Sequence, residues 1–263
     1  MTATVTSADG TPIAFDTYGT GSPVLLVGGA VNDRTAVAAV AGMLGDAGFR
    51  AVAFDRRGRG DSGDAPVYTV EREIDDLATL IEAVGGSAAL FGHSSGAILS
   101  LEAAARGLPI TRVAAYEPPF IVGDERPRPG DDLVERLSTL VTDGDRDGAV
   151  ELFLTEGTGA SAQVVESMRS APVWEWFVGL AHTLPYDLTV CGRGNHLPAD
   201  RLAAITAPVL SLSGGAGEAW MTASAQAVAD AVVHGRHEVV PGQDHGVLGA
   251  PESLREPLTK FLR

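Results

Sequence analysis

The sequence predicts an α/β protein built on a mostly parallel eight-stranded sheet flanked by helices. Short apolar or β-branched runs alternate with amphipathic stretches, which is the pattern of βαβ units around a parallel sheet. The first two runs are separated by Asp9-Gly10, a turn dipeptide that indicates a hairpin and hence an antiparallel start to the sheet. After Pro118 the alternation stops, and the next roughly ninety residues are far longer than an ordinary loop.

Each predicted strand is a short run of apolar and β-branched residues bounded by turn residues. In chain order the eight are Ala3–Ser7, Pro12–Thr17, Pro23–Val27, Arg50–Phe54, Ala88–Gly92, Arg112–Tyr116, Pro208–Leu212 and His237–Val240. The chain has 263 residues, of which 45% are hydrophobic, and this is enough apolar material for the core of one domain.

Helices are predicted where apolar residues recur at spacings of three and four. One such face, with Thr69 as the predicted N-cap, is formed by Val70, Ile74, Leu77, Ile81 and Val84. A second, interpreted as core, is formed by Met221, Ala225, Val228 and Val232. Between the sixth and seventh strands only helical stretches are found. We therefore predict an α/β core over 1–117 and 208–263 and a helical cap over 118–207, inserted after the sixth strand.

Composition excludes several classes of partner. There are 34 acidic and 19 basic residues, for a formal charge of −15, which disfavours binding to nucleic acid or to an anionic membrane. The single Cys191 excludes an internal disulfide and a Cys-rich metal site. No apolar run approaches the roughly 18 residues of a membrane span, and 1–10 lack a signal-peptide pattern. We expect a cytoplasmic protein that binds a small molecule, with a homodimer left open.

The most informative motif is Gly92-His93-Ser94-Ser95-Gly96. It follows an apolar strand and opens a predicted helix, which is the strand, turn and helix context of a G-x-S-x-G nucleophile elbow with Ser94 at its apex. A Cβ at Gly92 or Gly96 would crowd so sharp a turn. Free N–H groups at the start of the helix can stabilise a developing oxyanion. Ser94 is therefore the candidate nucleophile.

Two further motifs follow strands in the same order along the chain. Asp55-Arg56-Arg57-Gly58-Arg59-Gly60-Asp61-Ser62 follows the fourth strand, and Gly242-Gln243-Asp244-His245 follows the last. Together with the elbow and the helical segment, these motifs resemble the α/β-hydrolase superfamily over nearly the whole chain. The resemblance implies that fold, with a helical cap, and a hydrolase whose nucleophile is Ser94.

A serine nucleophile needs a base, because its hydroxyl proton is otherwise held too tightly for attack at neutral pH. Among six histidines, His245 follows the last strand at the carboxyl end of the sheet, where ligand sites of α/β proteins form. The resemblance places the catalytic histidine at the same position. His93, inside the elbow, is expected to pack or to form hydrogen bonds locally. The predicted base is His245.

The resemblance also implies an acid that orients this histidine, in the chain order Ser, acid, His. The usual Gly-x-x-Asp after the seventh strand is replaced here by Gly214-Gly215-Ala216-Gly217, and Glu218 comes one residue late. The other candidate is Glu117, at the end of the strand after the elbow helix. Its position resembles that of the acid in some haloalkane dehalogenases and zearalenone-type lactonases, and two prolines fix the backbone behind it. We favour Glu117, with Glu218 as the alternative.

The remaining site residues come from loops and from the helical segment. The resemblance implies an oxyanion hole formed by the N–H groups of Ser95 and Ala30, and Gly29 is a candidate substrate contact. Trp174 and Phe177 could line a pocket beneath the cap or pack the cap on the core. No acidic or histidine cluster has metal-ligand spacing, and no G-x-G-x-x-G follows the first βα junction, so neither a metal nor a cofactor is expected.

These observations favour a serine hydrolase that cleaves a carboxylic ester, lactone or related carbonyl compound through an acyl-enzyme. Within the superfamily, C–C bond hydrolysis, cofactor-free perhydrolysis and lyase chemistry can use the same triad. A ligand-binding receptor or scaffold with a vestigial triad is the alternative from another functional class.

Overall fold

A computed structural model describes residues 2–124 and 126–263. Its eight strands form one sheet in the order β1-β2-β4-β3-β5-β6-β7-β8. The strands are β1 (Ala3–Thr6), β2 (Pro12–Tyr18), β3 (Ser22–Val27), β4 (Phe49–Phe54), β5 (Ala88–His93), β6 (Ile110–Tyr116), β7 (Val209–Gly214) and β8 (Gly235–Val240). The pairs β1·β2 and β2·β4 are antiparallel and the other pairs are parallel. The predicted sheet, including its antiparallel start, is confirmed.

Eleven α-helices connect or flank these strands in the described part of the chain. They are α1 (Ala38–Asp46), α2 (Val70–Ala83), α3 (Ser95–Ala105), α4 (Leu133–Thr142), α5 (Arg146–Leu152), α6 (Ala162–Arg169), α7 (Val173–Leu180), α8 (Leu184–Cys191), α9 (Ala199–Leu202), α10 (Ala219–Ala231) and α11 (Glu252–Leu262). A single π-helical turn, Phe153–Gly157, continues α5. Thr69 precedes α2 as predicted, but its side chain makes no capping hydrogen bond.

Helices cover both faces of the sheet, and successive residues of a strand point to opposite faces, so neighbouring residues are buried in different cores. In β3, Leu25 and Val27 pack in a core with α2, α3 and α10, whereas Val24 and Leu26 pack in a second core with α1 and α11. This explains why the central strands appear in the sequence as continuous apolar runs rather than alternating ones.

The helices α4 to α9 lie between β6 and β7 along the chain. Most of them share a hydrophobic cluster that includes Leu137, Val150, Trp174 and Leu184, and Val31, from the loop after β3, also belongs to it. This segment therefore packs largely on itself and meets the sheet at the loops that follow the parallel strands. Its treatment as a separate cap over 118–207 remains a prediction.

Candidate active site

Ser94 lies at a sharp turn between β5 and α3. Its φ of 56° and ψ of −126° lie in a region that side chains rarely occupy, which is the strained conformation expected at an elbow. A Cβ on Gly92 would lie 2.5 Å from the carbonyl oxygen of Gly96, and a Cβ on Gly96 would collide with the carbonyl oxygen of Val27. Both glycines are therefore required sterically. Their small size lets the turn bring Ser94 to the start of α3.

His245 and Glu117 are joined by a hydrogen bond. Nδ1 of His245 lies 2.7 Å from Oε2 of Glu117, and Oε1 of Glu117 accepts a hydrogen bond of 2.8 Å from the Gly214 amide. Glu117 is only 1% exposed, whereas His245 is 44% exposed. With the Nδ1 proton directed at the carboxylate, the other ring nitrogen, Nε2, is free to accept a proton. The structure thus brings together two of the three predicted triad residues through a direct contact.

The alternative acid, Glu218, points elsewhere. Its side chain is exposed, and its carboxylate accepts a hydrogen bond from Nε1 of Trp220 at the start of α10. His245 makes its carboxylate contact with Glu117 instead.

Ser94 and His245 line one cavity of about 110 Å³, several times the space that one water molecule needs. The structure has no hydrogen bond between the Ser94 hydroxyl and the His245 ring, although both residues belong to the described part of the chain. Such catalytic contacts are often long in the absence of substrate. The other residues lining the cavity are Ala30, Ser95, Pro119, Arg126, Phe153, Gly157, Thr158, Asp187, Leu188, Cys191, Asn195, Trp220 and Met221.

The two residues predicted to supply oxyanion N–H groups, Ala30 and Ser95, line the same cavity as Ser94. Gly29 does not line it. A Cβ on Gly29 would lie 2.8 Å from the Cβ of Ser94 and 3.0 Å from the carbonyl oxygen of His93. Gly29 therefore allows the loop after β3 to approach the elbow, and its contact with substrate stays a prediction.

The aromatic residues predicted to line the pocket lie away from it. Trp174 is 4% exposed, and its Nε1 donates a hydrogen bond of 2.8 Å to Asp147 within the helical segment. Phe177 packs against the same hydrophobic cluster. The pocket instead receives Trp220 and Met221 from the first turn of α10. Helical periodicity predicts that Met221 is a core residue, and it cannot show that the first turn of α10 lines the same cavity as Ser94.

A buried ionic network that the sequence analysis missed lies beside the elbow. Nε and Nη2 of Arg56 donate to Glu73, and its Nη1 donates to Asp187 at 2.8 Å. Asp187 also accepts 2.8 Å from Arg59 and 2.7 Å from the Ser95 hydroxyl. Burial alone would raise the pKa of Asp187, but the guanidinium groups of Arg59 and Arg56 outweigh it and lower that pKa.

This network also contacts the loop after β3, which carries the predicted oxyanion residue Ala30. Nη1 of Arg59 donates 2.8 Å to the carbonyl oxygen of Gly29, and Nη1 of Arg56 donates 3.2 Å to that of Gly28. Because Asp187 lies on α8, its carboxylate links the helical segment to the elbow and to the turn after β4, whose arginines in turn bind the loop after β3. The sequence signal for this network is the Asp55–Ser62 turn, because it places several arginines close to the site.

His93 forms a contact distant in sequence rather than the local one that was expected. Its Nε2 lies 2.9 Å from the backbone carbonyl of His245, and the two rings lie 4.8 Å apart. Burial lowers the pKa of His93 to about 3, so the ring is neutral and its Nε2–H donates this bond. The elbow thus contacts the loop that carries His245.

Within residues 2–124 and 126–263, no group of three histidine, cysteine or acidic side chains could hold a metal ion. No helix in the same ranges is long and apolar enough to cross a membrane.

Comparison with known proteins shows the family of the chain. The profile of the alpha/beta hydrolase family matches residues 24–256. An alpha/beta hydrolase from Sphaerobacter thermophilus superposes with a TM-score of 0.93 at 48% identity, covering 99% of this chain and 100% of the other. An esterase from Thermogutta terrifontis superposes with a TM-score of 0.73 at 27% identity and covers both chains completely.

A Mycobacterium tuberculosis protein assigned by name as a non-heme bromoperoxidase, BpoC, is 26% identical over 278 aligned positions, which cover 95% of this chain and 97% of the other. Since the family profile spans residues 24–256, which is most of the sequence, the chain belongs to the alpha/beta hydrolase family.

Proposed function

We propose that the protein is a serine hydrolase that cleaves a carboxylic ester, lactone or related carbonyl compound through an acyl-enzyme. The observation that carries this proposal is the 2.7 Å contact between His245 and the buried Glu117. His245 also lines the same cavity as Ser94. A nucleophile, a base and an orienting acid are the three parts that this chemistry requires.

In the proposed acylation step, Ser94 Oγ attacks the substrate carbonyl carbon while His245 Nε2 takes the hydroxyl proton. Glu117 stabilises the imidazolium that results. The N–H groups of Ser95 and Ala30 donate to the oxyanion of the tetrahedral intermediate. When this intermediate collapses, the carbonyl re-forms and the leaving oxygen departs with the proton from His245.

In deacylation, His245 removes a proton from water, and the hydroxide oxygen attacks the acyl carbon. The proton then returns to Ser94 Oγ as the carboxylic acid leaves. Both steps require the Ser94 hydroxyl and the His245 ring to approach hydrogen-bond distance when substrate binds. The helices between β6 and β7 would act as the cap, because Phe153 and Leu188 from this segment complete the cavity wall.

Labelling with a fluorophosphonate tests the proposal directly. We expect one label per chain, located at Ser94 by peptide mass spectrometry and lost in Ser94→Ala. Ser138→Ala, at an exposed position of α4, is the matched control and should label as the wild type does. Unlabelled wild-type protein would support a ligand-binding protein instead. A panel of p-nitrophenyl esters and lactones of graded size then defines the substrate.

The similarity to BpoC favours perhydrolysis as a second candidate. Hydrogen peroxide would replace water as the attacking group on the acyl-enzyme, release a peracid and regenerate Ser94; the peracid would then oxidise bromide to hypobromite. Bromination of monochlorodimedone by the wild-type protein in acetate, bromide and peroxide, but not by Ser94→Ala, would support this activity. Equal rates with the two proteins would exclude it.

A further inference from the structure

Arg126 lies in the wall of the cavity that contains Ser94. Its Nη2 donates a hydrogen bond of 2.9 Å to the carbonyl oxygen of Gly157, and its Cζ lies 4.7 Å from the centroid of the Trp220 ring. Gly157 and Trp220 line the same cavity. The guanidinium is therefore fixed at the cavity wall by a backbone oxygen and an aromatic face, and neither of these carries a negative charge.

Among the residues that the structure describes, Arg126 differs from the other charged groups around the site because no carboxylate pairs with it. The oxygens of Asp187 are occupied by Arg56, Arg59 and Ser95. Among the described residues, Arg126 takes part in no ion pair within 4.0 Å, and its buried Nε has no hydrogen-bond acceptor.

The burial of Arg126 has an energetic cost that its protein contacts do not remove. Burial lowers the pKa of Arg126, and among the described residues the carboxylate of Glu218 partly opposes that effect through its charge. A guanidinium nevertheless remains charged at neutral pH. A partly desolvated cation with free donors beside a nucleophile is suited to an anionic group on the ligand, because such a group would supply both the missing charge and the missing acceptors.

We propose that Arg126 forms an anion subsite and that the substrate is an ester or lactone bearing a carboxylate. This inference rests on the proposed function, since it names the substrate class of the same cavity. One guanidinium neutralises one charge, which fits a carboxylate better than a phosphate dianion. The rest of the wall includes Phe153, Leu188 and Met221, which would contact the carbon chain between the carboxylate and the scissile carbonyl.

A pair of esters matched in length tests the subsite. Mono-p-nitrophenyl glutarate carries a terminal carboxylate, whereas p-nitrophenyl pentanoate has a methyl group in its place. We expect wild-type kcat/KM to be higher for the glutarate ester. Arg126→Gln should lower that value by about tenfold or more and change the value for the pentanoate ester less than about threefold. Arg126→Lys, which keeps the charge but not the planar fork, should retain part of the preference.

Arg128→Gln is the matched control. Arg128 lies on the same stretch, is exposed, and donates to the carbonyl oxygen of Gly194 outside the cavity. This variant should hydrolyse both esters at the wild-type rates. Equal losses for the two esters in Arg126→Gln, or no preference in the wild type, would overturn the subsite and leave Arg126 as a structural residue.

Calorimetry with glutarate separates failure of the subsite from failure of the proposed hydrolase, because it needs no turnover. In the Ser94→Ala background, glutarate should bind, and adding Arg126→Gln should raise its Kd by about tenfold or more. If glutarate binding depends on Arg126 but a fluorophosphonate does not label the wild-type protein, the anion subsite is kept and the serine hydrolase is rejected. Complete labelling at Ser94 without glutarate binding would do the reverse.

Discussion

Gly217 and Glu117 occupy two loops that converge on one carboxylate site. A Cβ on Gly217 would lie 3.1 Å from Oε1 of Glu117, closer than most side-chain contacts allow. Gly217 follows β7, at the position where the family resemblance would place an acid, whereas Glu117 follows β6. The absence of a side chain at one position therefore makes room for the carboxylate that comes from the other. The carboxylate beside His245 therefore comes from the end of β6 rather than from the loop after β7.

Glu117→Gln should lower kcat for a p-nitrophenyl ester by about 10³- to 10⁴-fold, as expected when the orienting acid of a triad becomes an amide. The amide cannot accept from both Gly214 and His245 with its two terminal atoms, so one N–H group loses its acceptor. Glu218→Gln is the control and should remain within about threefold of the wild type. If only Glu218→Gln is impaired, the assignment of Glu117 is wrong.

We expect that the carboxylate can be moved from the loop of Glu117 to the loop of Gly217. Glu117→Ala combined with Gly217→Asp should recover at least about tenfold of the kcat lost in Glu117→Ala, because the new carboxylate arises where the old one ended. Gly217→Asp alone should reduce activity and stability, since two carboxylates would share one buried site. Steady-state kinetics of the three variants decides this. A double variant no more active than Glu117→Ala would show that the two positions are not equivalent.

Asp187→Asn should destabilise the protein by about 3 kcal/mol or more, because it leaves buried guanidinium groups without their carboxylate. Urea unfolding measures this loss. Asp131→Asn is the matched control; the pair of Asp131 with Arg193 is exposed at 67% and 79%, and its loss should cost less than about 1 kcal/mol. Equal effects of the two substitutions would contradict a structural role for the buried network.

His93 should make the protein sensitive to acid. In the unfolded chain the pKa of His93 is 6.5, whereas burial lowers it to about 3 in the native state. Between these two values only the unfolded chain binds the proton, so the free energy of unfolding falls as the pH drops from 6.5 towards 3. Between pH 7 and pH 5 the wild type should lose about 2 kcal/mol from this residue alone. His93→Gln retains a donor for the His245 carbonyl. Between pH 7 and pH 5, its free energy of unfolding in urea should fall by about 2 kcal/mol less than that of the wild type. Identical losses would show that native His93 takes up the proton.

The sheet could be predicted from the sequence because its signals are local. All eight strands lie within three residues of their predicted ends, since each is a short apolar run that a parallel sheet buries on both faces. The signal for the elbow is also local, because the crowded turn at Ser94 requires glycine at positions 92 and 96. Placing Glu117 beside His245 needed the family resemblance, because these residues are 128 positions apart.

The rest of the site depends on contacts that no local pattern encodes. Trp174 and Trp220 are both aromatic residues on helices, yet the first is buried between helices of one segment and the second lines the cavity. The partners of Arg56 come from α2 and α8, and the sequence has no period that pairs a residue with one 131 positions away. Arg126 likewise follows β6 in an irregular stretch, where composition gives no indication of proximity to Ser94.

Asp187 also restricts how the cavity can open. It lies on α8, while Arg56, Arg59 and Ser95 belong to the turn after β4 and to the elbow, so lifting α8 would separate a buried carboxylate from its cations at a cost of several kcal/mol. We therefore expect α8 to stay in place in the proposed reaction. We expect substrate to enter instead where the π-helical turn Phe153–Gly157 meets Arg126 through one backbone hydrogen bond, because this contact can open at far lower cost.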